Sequence, residues 1–126
     1  MSSKARAIVV VDNDPTMRAS LESLLHAGGY DVEAHASAED FLESGRLSST
    51  ACLLLDVRMP GMTGLELLEH LDHVGAKIPI VFMTGDSARK VRSKATSASV
   101  VEFLEKPFSD EALFDAIERA LRAARG

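Results

Sequence analysis

The sequence predicts an α/β domain: a five-stranded parallel sheet, doubly wound in the order 2-1-3-4-5, with five helices on its two faces. Three observations carry this. Short apolar runs such as Ala7–Val11 and Leu53–Leu55 hold no polar residue, as strands buried on both faces require. Segments with apolar residues at helical spacing alternate with them. The runs also stop abruptly at polar residues, most sharply in Leu53-Leu54-Leu55-Asp56-Val57-Arg58-Met59-Pro60-Gly61. In an open parallel sheet, ligands and chemistry gather at the carboxyl ends of the strands. Asp56 is therefore a functional candidate, with simple capping of the turn as its alternative.

Ala7–Val11 reads as the first strand, and Asp12-Asn13-Asp14-Pro15 ends it. Asp14 is placed to cap a helix that has Pro15 at its first position and Met17, Leu21, Leu24 and Leu25 as its stripe. Gly28-Gly29 stops that helix. Asp31–Ala36 alternates weakly and reads as a second strand near an edge. Ser37-Ala38-Glu39-Asp40 opens a short helix to about Ser44, with Phe41 and Leu42 inward. A polar loop from Gly45 to Thr50 precedes the strand Ala51–Leu55. Thr63-Gly64-Leu65-Glu66 fits a capping box, and Leu65, Leu68, Leu71 and Val74 supply that helix's expected buried face. Ile78–Met83 is the fourth strand, ending in Thr84-Gly85-Asp86, with Pro79 tolerable near its start. Asp86–Ser99 has only a thin stripe, Ala88, Val91, Ala95 and Ala98, among Arg89, Lys90, Arg92 and Lys94. It predicts a short or mobile helix with a basic outer face, either solvated or turned toward an acidic partner. Val100–Leu104 is the fifth strand. Ser109 caps a last helix striped by Leu113, Ala116, Ile117, Ala120 and Leu121.

At 126 residues, 46% hydrophobic and 26% charged, the chain suits one globular domain over residues 1–126 with a single core. The net charge of −5 speaks against nucleic-acid binding by this domain. One cysteine, Cys52, excludes an internal disulfide, suits a reducing compartment and reads as a packed core thiol. His26, His35, His70, His73 and Cys52 lack zinc-ligand spacing. No leader or long apolar span is evident, so a cytoplasmic protein without a membrane partner is expected.

The strand ends converge. In the expected order, strands one, three, four and five are neighbours and deliver Asp12, Asn13 and Asp14, then Asp56, Thr84 and Lys106. Two carboxylates about 4 Å apart repel by about 4 kcal/mol at an effective dielectric near 20. A hard divalent cation relieves that repulsion, and oxygen-only ligands select Mg²⁺. Lys106 and Thr84 add a positive charge and a hydroxyl donor, which suits a transferred phosphoryl group on Asp56.

These features together resemble the receiver domain of two-component response regulators. The matching residues are Val11-Asp12, Leu55-Asp56, Met59-Pro60-Gly61 with Gly64, Thr84-Gly85, and Phe103 three residues before Lys106-Pro107. Ala36-Ser37-Ala38-Glu39-Asp40-Phe41-Leu42 and Glu105-Lys106-Pro107-Phe108 are most similar to regulators with a helix-turn-helix output. The resemblance implies the flavodoxin-like form of the doubly wound sheet. It implies that Asp56 accepts a phosphoryl group from a sensor histidine kinase, and that Asp56, Asn13 and the Arg58 carbonyl hold Mg²⁺, with Asp12 acting through water. It also implies that Lys106 pairs with the phosphoryl oxygens, that Thr84 shifts toward them, and that Phe103 turns inward as a switch. Lys106-Pro107 would be a cis peptide. The signal would leave by the face of the fourth helix, fifth strand and fifth helix, to an output domain or downstream protein or by homodimer formation. Such a domain catalyses its own phosphoryl transfer and slow dephosphorylation without being a turnover enzyme.

Two departures qualify the resemblance. Position 13 is usually a second acid, and Asn13 predicts weaker Mg²⁺ binding, with Asp14 explained by its cap. Receivers usually place Gly-Ala before the fifth strand, where this chain has Ser99 and Val100. Phe103 also has a plainer reading as one side of that strand's core, with its position in the family pattern favouring the switch. A nucleotide- or flavin-binding site is disfavoured by the acids after the first strand and by the lack of a phosphate-binding glycine motif. An aspartate-nucleophile phosphatase would carry Asp where Arg58 stands. The alternative from another class is a receiver-like interaction module that works without phosphorylation.

Overall fold

A computed structural model describes residues 6–125 of the chain. Its five strands form one parallel sheet in the order β2-β1-β3-β4-β5. They are β1 (Ala7–Val11), β2 (Val32–His35), β3 (Thr50–Asp56), β4 (Ile80–Thr84) and β5 (Val100–Glu105). The helices are α1 (Pro15–Ala27), α2 (Ala38–Glu43), α3 (Gly64–His73), α4 (Ala88–Arg92) and α5 (Asp110–Arg125). An α-helix follows every strand.

Period-two alternation along the strands splits the interior into two layers. Val9, Val11, Leu53, Leu55, Ile80 and Phe82 pack with Phe41 of α2, with Leu67, Leu68 and Leu71 of α3, and with Val91 of α4. Ile8, Val10, Cys52, Leu54, Val81 and Met83 pack with Leu21 and Leu25 of α1 and with Leu113, Ala116, Ile117 and Ala120 of α5. Both faces are thereby covered, which is why the strands read as near-continuous apolar runs. Cys52 is fully buried, and burial pushes its thiol up to about 12. It is inert core.

The caps set where the helices begin. Asp14 accepts from Thr16 N and Met17 N, Ser37 from Asp40 N, and Ser109 from Ala112 N. Thr63 and Glu66 form a reciprocal capping box at the start of α3.

Four expectations need correction. The loop after α2 contains a single 3-10 turn, Leu47–Ser49. The fourth strand begins at Ile80, because Pro79 offers no N–H to the ladder, although its carbonyl accepts from Leu53 N at 2.9 Å. Val74 is not on the buried face of α3. The helix ends at His73, Val74 is its C-cap with 52% exposure, and the chain turns away at Gly75, φ +76°. The row that faces the core is Gly64, Leu67, Leu68 and Leu71, with Leu65 only half-buried. Of the thin stripe in Asp86–Ser99, Val91 and Ala95 are buried, Ala88 is half-buried, and Ala98 is exposed beyond the end of α4.

The contrast on α3 gives a direct check. Leu67→Ala should lower unfolding stability by about 2–5 kcal/mol, because it empties a fully buried site. Val74→Ser should change it by less than about 0.5 kcal/mol. Urea unfolding followed by circular dichroism measures both.

Candidate functional site

Register places the polar residues in one row. Val11 pairs with Leu55, so Asp12 and Asp56 leave the sheet level with each other. Asp56 pairs with Met83, and Thr84 with Glu105, so Thr84 follows one step beyond the acids and Lys106 two. The consequence is a pocket at the carboxyl ends of β1, β3, β4 and β5.

Asp12, Asp56 and Thr84 are all buried there. Lys106 reaches both acids, with Nζ 3.2 Å from Asp12 Oδ2 and 3.5 Å from Asp56 Oδ2. One ammonium facing two buried carboxylates leaves the cluster short of positive charge. Asp12 Oδ1 also accepts from Asp14 N at 2.9 Å, and Asp56 Oδ1 accepts from Arg58 N at 3.3 Å. Thr84 Oγ1 accepts from Asp86 N at 3.0 Å, which leaves its own proton free to donate. The Lys106-Pro107 peptide is cis, and Lys106 N donates to Thr84 O at 2.7 Å.

Gly64 explains how closely α3 approaches. Its N–H donates to Val57 O at 3.0 Å, and a Cβ at this position would lie 2.3 Å from the Asp56 carbonyl oxygen. Only glycine lets the first turn of α3 sit against the backbone of Asp56.

Not every candidate points inward. Asn13 and Asp14 are exposed at the rim. Arg58 turns its side chain outward to an ion pair with Asp86, so only its backbone serves the pocket. Phe103 lies half-buried on the α4 side, stacked on fully buried Phe82 at 5.8 Å between ring centroids and 17° between planes. Arg92 of α4 lies over that ring, its Cζ 4.6 Å from the centroid. Sequence reading left Arg92 on a basic outer face. It also missed three further contacts. Arg18 donates to the Asp12 carbonyl at 2.7 Å, Glu105 accepts from Ala88 N at 2.7 Å, and Glu39 accepts from Met62 N at 2.8 Å. Of these, only the Arg18 contact was open to reading, since a residue one turn into α1 faces back over the end of β1.

Burial, reinforced by the neighbouring Asp12 carboxylate, pushes the Asp56 carboxyl up to about 6, against the pull of Lys106 and the Arg58 N–H. The donors are all oxygen, which fits a hard divalent cation. Among the described residues no group of three or more His, Cys, Asp and Glu side chains is gathered to hold a metal. Coordination would have to be completed by an amide, a backbone carbonyl or water.

Residues 8–118 match the model of the response regulator receiver domain family, and the chain belongs to that family. The response regulator protein TodT of Pseudomonas putida is 40% identical over 124 residues, covering 98% of this chain and 55% of its own. The transcriptional regulatory protein FixJ of Bradyrhizobium diazoefficiens is 40% identical over 117 residues, covering 93% and 57%. Among solved structures, the response regulator StyR superposes with a TM-score of 0.87 at 44% identity, over 97% of this chain and 62% of that one. The structure of FixJ-N does so with 0.81 at 36%, over 95% and 96%. The chain spans about half the length of the curated relatives it matches. Receivers of this family bind Mg²⁺ at the acidic pocket and interact with sensor kinases and output domains. No helix among the described residues is long and apolar enough to cross a membrane.

The raised Asp56 carboxyl has a consequence for stability. The native state holds this proton more tightly than the unfolded chain, whose value is the usual 3.8. Its favourable contribution is full below pH ~4 and is lost as pH rises through about 6. Asp56→Asn should therefore stabilise the metal-free protein at pH 8 by about 2 kcal/mol, with the advantage gone near pH 4. Thermal unfolding across that range, in a chelating buffer, measures it.

Proposed function

We propose that residues 1–126 act as one receiver domain in which Asp56 is the phosphoryl acceptor. The observation that carries this is the reach of Lys106 to both Asp12 and Asp56, with Thr84 one step beyond them at the strand ends. A carboxylate oxygen of Asp56 attacks the phosphorus of a phosphohistidine on a sensor histidine kinase. The P–N bond breaks, the imidazole leaves with its electron pair and takes up a proton, and an acyl phosphate remains on Asp56. Catalysis here is positioning and charge neutralisation.

Asp56, the Asn13 amide oxygen and the Arg58 carbonyl would hold Mg²⁺ directly, with Asp12 acting through water. The ion would supply neutralisation of the phosphoryl oxygens. Lys106 is already poised between the two acids and exchanges a carboxylate oxygen for a phosphoryl oxygen. Thr84 donates its free hydroxyl proton to another. Phosphorylation brings close to two negative charges to this site, enough to shift populations between two packings of the surrounding loops. Phe103 is the aromatic that turns as Thr84 moves, and the α4–β5–α5 face passes the change to an output domain, a downstream protein or a second copy of the chain. The net charge of −5 supports an output other than direct nucleic-acid binding by this domain.

Incubation with acetyl phosphate and Mg²⁺ should add one phosphoryl group to the intact mass of the wild type and none to Asp56→Asn. No gain on the wild type would favour the phosphorylation-independent interaction module instead. Asn13→Asp restores a full negative charge at the rim and should tighten Mg²⁺ binding about tenfold, or roughly 1.4 kcal/mol. Calorimetric titration of the metal-free proteins checks this.

A further inference from the structure

The segment from Val57 to Thr63 joins β3 to α3 and carries Arg58. Its first residue is fixed to the sheet, Val57 N donating to Met83 O at 3.0 Å. Its last is fixed by the capping box, Thr63 N donating to Glu66 Oε1 at 2.9 Å. The middle is reached from another element. Glu39, on α2, extends its carboxylate to accept the Met62 N–H at 2.8 Å, across 23 residues of sequence. That N–H holds the Glu39 carboxyl below the usual carboxylate range, so the carboxylate is the form the loop selects.

Position 61 shows how closely the loop is moulded to this side chain. Gly61 has φ +75°, and a Cβ there would lie 2.6 Å from Glu39 Oε2. A side chain at 61 would meet both a left-handed backbone and the carboxylate. Met59 is buried and Met62 half-buried in the same core layer as Phe41 of α2, so the polar contact sits over an apolar grip. Glu39 itself is exposed, where a single substitution ordinarily shifts global stability by less than about 0.5 kcal/mol. Its leverage is local. The loop it clamps is the one whose Arg58 N–H meets Asp56 Oδ1.

We infer that Glu39 is a positioning residue for the acidic pocket: by clamping Met62 from α2, it holds the Arg58 backbone where that backbone completes the cation site at Asp56. This rests on the reading of Asp56 and Arg58 as Mg²⁺ ligands. Groups that orient metal ligands from outside typically govern about 10–100-fold in metal affinity, and a clamp four residues from the ligand lies at or below the low end of that range.

The test compares the wild type with Glu39→Ala and Glu39→Gln. Mg²⁺ affinity is read by calorimetry, backbone hydrogen exchange of residues 58–63 in the metal-free protein, and global stability by urea unfolding. Ala should weaken Mg²⁺ binding about fivefold and speed exchange at Met62, while the urea midpoint stays close to wild type. Gln keeps an acceptor for the Met62 N–H and should bind within about twofold of wild type. With acetyl phosphate, the Mg²⁺ concentration for half-maximal phosphorylation should rise in the Ala variant and the rate at saturating Mg²⁺ should not fall. Unchanged Mg²⁺ affinity in the Ala variant overturns the clamp and leaves the acceptor reading intact. Gln binding as weakly as Ala overturns it too, because charge and not the hydrogen bond would then be responsible. A wild type that binds no Mg²⁺ overturns both.

Discussion

Two carboxylates confined at the level ends of adjacent strands, with one ammonium between them, are the condition around which this molecule is arranged. Register makes it unavoidable. Once Val11 pairs with Leu55, Asp12 and Asp56 must emerge together, and both are buried. Uncompensated charge in a poorly solvated site is costly, and the cost appears as the upward shift of the Asp56 carboxyl. A hard cation among these oxygens would offset that cost.

The surroundings keep those charges from relaxing apart. Arg18 and Asp14 grip the turn after β1, one at the Asp12 carbonyl and the other at its carboxylate. Gly64 seats α3 against the Asp56 backbone. The cis Lys106-Pro107 bond stands beside Thr84, whose carbonyl takes the Lys106 N–H. None of these residues is costly to the rest of the core, which is close-packed on both faces of the sheet by aliphatic side chains. Chemistry and packing are segregated: the two layers hold the sheet flat to its helices, and the strand ends hold the charge.

Much of this was legible in the residues. Caps announce themselves locally, so Asp14, Ser37 and Thr63 with Glu66 mark helix starts without any tertiary knowledge. The strand order follows from helices alternating with apolar runs, and strand order alone makes Asp12, Asp56, Thr84 and Lys106 neighbours. Boundaries and helix faces were less legible. On α3, leucines at 65, 67, 68 and 71 permit two stripes, and only the exit of the chain at Gly75 decides that Val74 is left outside. The contacts of Glu39, Glu105 and Arg92 had no local signature at all. Each joins side chain to partner across 11 or more residues, through the relative placement of elements that periodicity does not encode.

Arg92 shows what such an unannounced contact does. It rests over the Phe103 ring, which also stacks on Phe82. An exposed cation on an aromatic face is worth about 0.5–1 kcal/mol, a factor of roughly two to five in an equilibrium. That is too little to lock the ring and enough to weight it. The packing of the Phe103 ring is thus set in part from the surface, by a residue of α4 that lies outside the pocket.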